Sequence, residues 1–209
     1  MRNPLIITIG REYGSGGRQI GELVAKTLGI AYYDKKLITL AAQKSGLSDE
    51  FIANNEQRVR SGFMQNLAAS AAYSSGFFSS QYLPLSESIF ISEAQVIRDI
   101  AAKESAVIVG RCADYVLRDD PNAVLVHLFV HAPMAARIRR ESARTNTTPA
   151  EAEKRIRQVD KERAAYYNFF SSKRWGDAQG YDLCVNTDGL EISDVAKLVL
   201  RYLELRGLR

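Results

Sequence analysis

The chain is short of the residues that cross-link or metal-staple a fold. It has two cysteines, Cys112 and Cys184, and two histidines, His127 and His131, in 209 residues. Two thiols make no disulfide framework, and nothing suggests a metal cluster. The histidines lie four apart in VLVHLFVHAP, a segment that reads as a strand. With no third ligand near in sequence, a core or rim role is expected for both rather than zinc. No apolar run approaches the ~20 residues that span a bilayer. Met1-Arg2-Asn3-Pro4 leads directly into a strand-like segment, without the apolar stretch and small-residue cleavage site of a secretion signal. The expectation is a cytoplasmic chain with no membrane partner.

Acidic residues do not dominate either. The net charge is +4, with 46% hydrophobic and 25% charged residues, an ordinary globular composition. The arginines gather in a glycine-rich segment and between Arg137 and Arg174. A phosphorylated small substrate explains such local clusters as well as a polynucleotide does, and nucleic acid is not the expected partner.

The segment around which the rest is organised is LIITIGREYGSGGRQIGELVAKTL, from Leu5 to Leu28. A β-branched run is followed by Gly10, Gly14, Gly16 and Gly17, interleaved with Arg11, Ser15 and Arg18. Ile20, Leu23, Val24 and Leu28 then fit one helix face. Strand, glycine loop and helix bring backbone N–H groups and a helix N-terminus to bear on a phosphate. The alternative is a structural turn that binds nothing, although such a turn has no need of guanidinium groups. The P-loop pattern G-x-x-x-x-G-K-S/T is not matched. One register ends the pattern on Gly16, with Gly17 for lysine and Arg18 for the hydroxyl residue. The other ends it on Gly17, with Arg18 for lysine and Gln19 next.

Gly29 to Asp34 is a second short strand ending in a carboxylate, and Asp34 can also cap a helix from Lys35 to Gln43. A β-α-β opening predicts a parallel sheet flanked by helices, with ligands at the C-terminal strand ends. Residues 45–95 are rich in Ser, Ala, Gly and aromatics with weak periodicity. They read as mobile helices and loops in an inserted lobe that closes over a substrate or forms a homodimer surface. A helix from Ser88, the strand Ala106-Val107-Ile108-Val109, Gly110-Arg111, a short helix through Tyr115 and a strand from Ala123 to Val130 follow. Pro133 then starts a helix in which Arg137, Arg140 and Arg144 share one face, for which a solvated basic face is the plain reading. After Thr145 to Pro149 come an amphipathic helix to about Phe170, a strand Tyr181 to Val185, a turn over Asn186 to Gly189 and a closing helix Ile192 to Leu205.

Several landmarks stand in one order: the GREYGSGGR loop, YYD, VIVGR, the arginine helix, RIRQVDKERAAYY and VNTDGLEISDV. This order resembles the nucleoside monophosphate kinases, and most closely the cytidylate kinases and their cytidylate kinase-like relatives, over most of the chain outside residues 45–95. The resemblance implies a three-layer α/β/α P-loop kinase fold with a parallel sheet, an inserted helical NMP-binding lobe and a lid. The core would be 1–44 and 96–209, the lobe about 45–95 and the lid about 140–155. It implies phosphoryl transfer from ATP, with Mg²⁺ bridging phosphate oxygens and no metal-ligating residue assigned, to CMP or a related acceptor. Arg11, Gly14, Ser15, Gly16, Gly17, Arg18 and Gln19 would hold the donor phosphates. Asp34, Arg111, Arg137, Asp160 and Arg163 would bind the acceptor, and Arg18, Arg140, Arg144 and Arg163 would act on the transferring group. Cys112 replaces the aspartate of the family's GRD segment. The alternatives are a non-catalytic nucleotide sensor of the same fold, or a kinase for a different small acceptor.

Overall fold

The computed structural model describes residues 3–34, 40 and 83–209. The chain forms two compact units, one of Met1–Asp34 with Arg98–Arg209, the other of Lys35–Ile97. Of the second unit, Leu40 and the stretch from Leu83 are described. The expected cap of a 35–43 helix and most of the expected lobe therefore lie outside the described residues.

Strand β1 spans Leu5–Arg11, helix α1 Gly17–Leu28 and strand β2 Ala31–Tyr33. Helix α2, Leu83–Ala101, starts earlier than the expected Ser88. Then come β3 (Ala106–Val109), α3 (Ala113–Leu117), β4 (Val124–His131), α4 (Met134–Thr145), α5 (Pro149–Ser171), β5 (Leu183–Asn186) and α6 (Ile192–Leu205). The sheet order is β2-β3-β1-β4-β5 and every pairing is parallel. Buried on both faces, β3 reads as an unbroken apolar run, AVIV. The periodicity of β1 fades at Ile9, yet the strand continues because Gly10 pairs with Phe129 and Arg11 with Val130. Tertiary pairing overrides the weak strand preference of glycine here.

All C-terminal strand ends share one edge. The chain leaves β1 toward β2 and leaves β3 toward β4, in opposite directions across the sheet. A crevice between β1 and β3 at that edge is where such sheets take ligands. One sheet face is covered by α1 and α6, through Ile20 and Val24 against Val195, Val199 and Leu203, with Ile7, Ile9, Val109 and Leu128 beneath. Each fully buried aliphatic side chain of this kind stabilises the fold by about 1.5–3 kcal/mol. On the other face α3 packs on β1, and α5 is bonded to it by Tyr167 Oη donating to Asp114 Oδ2 at 2.6 Å. Burial, reinforced by the Asp114 charge, pushes the phenol pKa values of Tyr167 and Tyr181 up. His127 joins this face, its Nδ1 2.8 Å from Thr8 Oγ1, and burial lowers its imidazole pKa. Among the described residues no helix is long and apolar enough to cross a membrane.

Candidate active site

The glycine segment leaves β1 and turns back into α1 through two left-handed residues, Gly14 at φ 79° and Gly16 at φ 86°. Gly16 is the N-cap of α1, so the helix begins at Gly17, which fits the register ending on Gly16. Gly16 is held to glycine by its left-handed backbone, and a Cβ at either Gly16 or Gly17 would force a neighbouring side chain to move. A Cβ at Gly16 would lie 2.2 Å from Ile192 Cδ1, and one at Gly17 would lie 2.7 Å from Arg11 Cβ. No acidic residue occupies the first turn of α1. Among the described residues nothing accepts from the N–H groups of Gly14, Gly16, Gly17, Arg18 or Gln19. The loop thus presents bare donors together with the positive end of a helix dipole.

Its carbonyls are treated in the opposite way. Arg11 O accepts from Arg163 Nη1 at 3.0 Å, and Glu12 O from Ser15 Oγ at 2.8 Å. Tyr13 O accepts from Arg137 Nη1 at 3.3 Å. Ser15 O accepts from Thr187 Oγ1 at 2.8 Å and from Arg140 Nη1 at 3.3 Å. The arginines of α4 and α5 therefore converge on the loop, and the plain reading of a solvated basic face fails for Arg137 and Arg140. Arg137 is buried, donates from Nε to Ala132 O at 2.9 Å, and pairs through Nη1 with Asp160. Asp160 also accepts from Tyr13 N–H at 2.7 Å, so both its oxygens are engaged at the loop. Arg163 lies 3.9 Å from the same carboxylate.

Tyr13 is the node between the loop and the helices α4 and α5. Its hydroxyl donates to Glu141 Oε1 at 2.7 Å and accepts from Arg155 Nε at 2.9 Å and Arg144 Nη2 at 3.1 Å. One proton and two lone pairs are thereby all used. Burial raises the Glu141 carboxyl pKa, but hydrogen bonds from Arg144 and Tyr13 outweigh it and leave the value below the usual range. The connection from α4 to α5 is closed by a capping box in which Thr148 and Glu151 satisfy each other's backbone donors.

On the crevice side, Arg18 Nε lies 2.8 Å and Arg11 Nη2 3.8 Å from the Asp34 carboxylate. The Arg11 guanidinium rests on Gly110, where a Cβ would come within 2.0 Å of Nη1. Gly110, Arg111 and Cys112 are all left-handed, at φ 79°, 60° and 53°. Two consecutive non-glycine residues in that region hold backbone strain, which is found where a functional group must be aimed. Burial lowers the Arg111 pKa, while Tyr166, Asp34 and Cys112 hold it up.

A model of the cytidylate kinase-like family matches residues 6–189. The chain belongs to the cytidylate kinase-like family. A cytidylate kinase from Methanobrevibacter smithii is 22% identical over 206 residues, covering 96% of this chain and 99% of the relative. An uncharacterized protein from Eubacterium ventriosum has a similar solved structure, with a TM-score of 0.69, 25% identity and coverage of 96% and 98% of the two chains. A shikimate kinase from Acinetobacter baumannii, solved with shikimate, shares the fold at a TM-score of 0.52 and 15% identity, over 99% and 96%. The architecture is accordingly the three-layer α/β/α P-loop kinase fold.

Within this family member, the residues singled out from the sequence fall into two groups. Gly14, Ser15, Gly16, Gly17, Arg137, Arg140, Asp160 and Arg163 meet at the loop, with Arg144 joined to them through Tyr13. Arg11, Arg18, Asp34 and Arg111 gather beside the crevice, so the side chain of Arg11 turns from the loop toward Asp34. Tyr13, Glu141, Arg155 and Thr187 escaped the sequence reading. A lone acid within the basic run of α4 was the available signal for Glu141, whereas Thr187 lies in the VNTDGLEISDV landmark, which marked the segment but not its bond to a loop so remote in sequence. The bare donors fit the phosphates of ATP. The side chains do not fit a protein-held Mg²⁺: Asp34, the carboxylate beside the crevice, is paired with Arg18 and Arg11. Among the described residues no group of three or more His, Cys, Asp or Glu could hold an ion.

Proposed function

We propose that the chain transfers a phosphoryl group from ATP to a nucleoside monophosphate of the cytidine type. The observation that supports this reading is the set of N–H groups of Gly14, Gly16, Gly17, Arg18 and Gln19 at the start of α1, which have no acceptor among the described residues, beside guanidinium groups drawn from three segments. Phosphoryl transfer needs little covalent help, and its barrier falls through positioning and charge neutralisation. In this reading the loop holds the donor phosphates, while Arg111, Arg11 and Arg18 around Asp34 receive the acceptor phosphate. Arg144 and Arg155, more than half exposed, neutralise charge as it develops. Mg²⁺ would arrive with ATP, held by phosphate oxygens and water. The relative named cytidylate kinase supports the acceptor class.

A coupled assay of ADP release over CMP, dCMP, UMP, AMP, shikimate and gluconate tests the reading. The expected result is the highest kcat/KM with CMP or dCMP. Turnover only with a non-nucleotide acceptor overturns the acceptor class. ATP binding without turnover on any acceptor favours a nucleotide sensor, a reading that the absence of the motif lysine supports.

A further inference from the structure

Thr187 lies just after β5, fully buried, far from the glycine loop in sequence. Its N–H is taken by His131 O at 3.0 Å, which anchors it to the end of β4. Its hydroxyl donates to Ser15 O at 2.8 Å and accepts from Arg140 Nη1 at the same distance. Arg140 Nη2 also donates to Thr187 O, so guanidinium, hydroxyl and carbonyl form a closed unit behind the loop. A trans peptide points its C=O and its N–H in opposite directions. Fixing the Ser15 carbonyl against Thr187 and Arg140 therefore turns the Gly16 N–H to the opposite side, among the donors that have no described acceptor. The left-handed φ of 86° at Gly16 is what lets the chain continue from that peptide orientation into α1.

We propose that Thr187 is a positioning residue for the donor site, which together with Arg140 holds the Ser15–Gly16 peptide so that its N–H faces the donor phosphate. Arg140 then acts through the backbone, and not by touching the transferring group. This rests on reading the loop as a polyphosphate site. Thr187 gives the unit its direction, because its single hydroxyl proton goes to Ser15 O, with His131 O at 3.5 Å the longer alternative.

The test is the affinity of the full chain for inorganic tripolyphosphate, a probe with no nucleoside, by titration calorimetry. Thr187→Val keeps the shape and removes the hydroxyl, and is expected to weaken binding about tenfold, the effect of a lost hydrogen bond and a loosened peptide. Thr187→Ser restores the hydroxyl and is expected to bind within twofold of the unchanged chain. A mere packing role predicts the reverse ranking, with Val tolerated and Ser weakened by the missing methyl, and that result overturns the proposal. Equal weakening by both variants also overturns it. Binding of tripolyphosphate by Thr187→Val within twofold of the unchanged chain overturns it while leaving the kinase reading intact. Absence of binding by the unchanged chain removes the polyphosphate reading, and the proposal with it.

Discussion

The α1/α6 side of the sheet and its C-terminal edge are held together by opposite means. On the side, Ile20, Val24, Val195, Val199 and Leu203 pack on Ile7, Ile9 and Val109 with no polar group among them. At the edge, Arg137, Glu141 and Thr187 are buried and work through hydrogen bonds to the loop and to one another. Apolar packing is non-directional and tolerates small shifts. Buried charges tolerate none, since an unmatched one loses solvation without return. The difference teaches which part of the molecule holds the fold and which part aims the backbone.

The sharpest way to break this contrast is to remove one buried charge. Arg137→Met leaves Glu12 without its guanidinium and Asp160 with only the more distant Arg163, and is expected to lower unfolding stability by about 3–5 kcal/mol in a urea titration. Phosphate affinity should fall too, because Tyr13 O loses its donor. On the apolar side, Leu203→Ala is expected to lose about 2–5 kcal/mol through its cavity. Its ATP affinity in the folded fraction should stay within twofold of the unchanged chain, and a larger loss would mean that the side and the edge are coupled.

Gly110→Ala separates the two halves of the edge. The added Cβ meets Arg11 and the backbone is left-handed, so a cost of about 1–3 kcal/mol is expected. The KM for the acceptor should rise roughly tenfold, as a displacement costing about 1.4 kcal/mol of binding would produce, with ATP affinity little changed. An equal rise for both substrates would merge the crevice and loop groups.

The smallest effect is in pH. The Glu141 pKa is lowered in the folded chain, so its contribution to stability is complete above the ordinary value of 4.5 and is lost as pH falls through the lower folded value. Glu141→Gln is expected to flatten the stability profile in that acid window. An unchanged acid slope would show that the Tyr13–Glu141–Arg144 node adds no pH-dependent stability.

Much of the fold was legible because its signals are local. β3 is an uninterrupted apolar run, α6 repeats its apolar residues at helical spacing, and Pro133 marks a helix start. The glycine loop was legible for the same reason, since the left-handed turns at Gly14 and Gly16 favour glycine whatever packs against them. The roles of the arginines were not. Spacing put Arg137, Arg140 and Arg144 on one helix face, but each ends on a different partner: a loop carbonyl with Asp160, the Ser15–Thr187 pair, and the Tyr13–Glu141 node. Asp160 could be matched to a family segment, while its hold on Tyr13 N–H spans 147 positions and leaves no trace in spacing.

By itself, then, the sequence determined a parallel sheet, a glycine turn able to receive an anion and a supply of guanidinium groups. Periodicity, glycine and charge are properties of neighbouring residues. Only the tertiary structure decided that those guanidinium groups grip the loop's carbonyls, while the N–H groups of Gly14, Gly16, Gly17, Arg18 and Gln19 keep no acceptor among the described residues. That division depends on which peptide oxygen each side chain reaches after β1, α4, α5 and β5 have packed, and hydrogen-bond direction is a matter of ångströms between segments that chain order keeps apart.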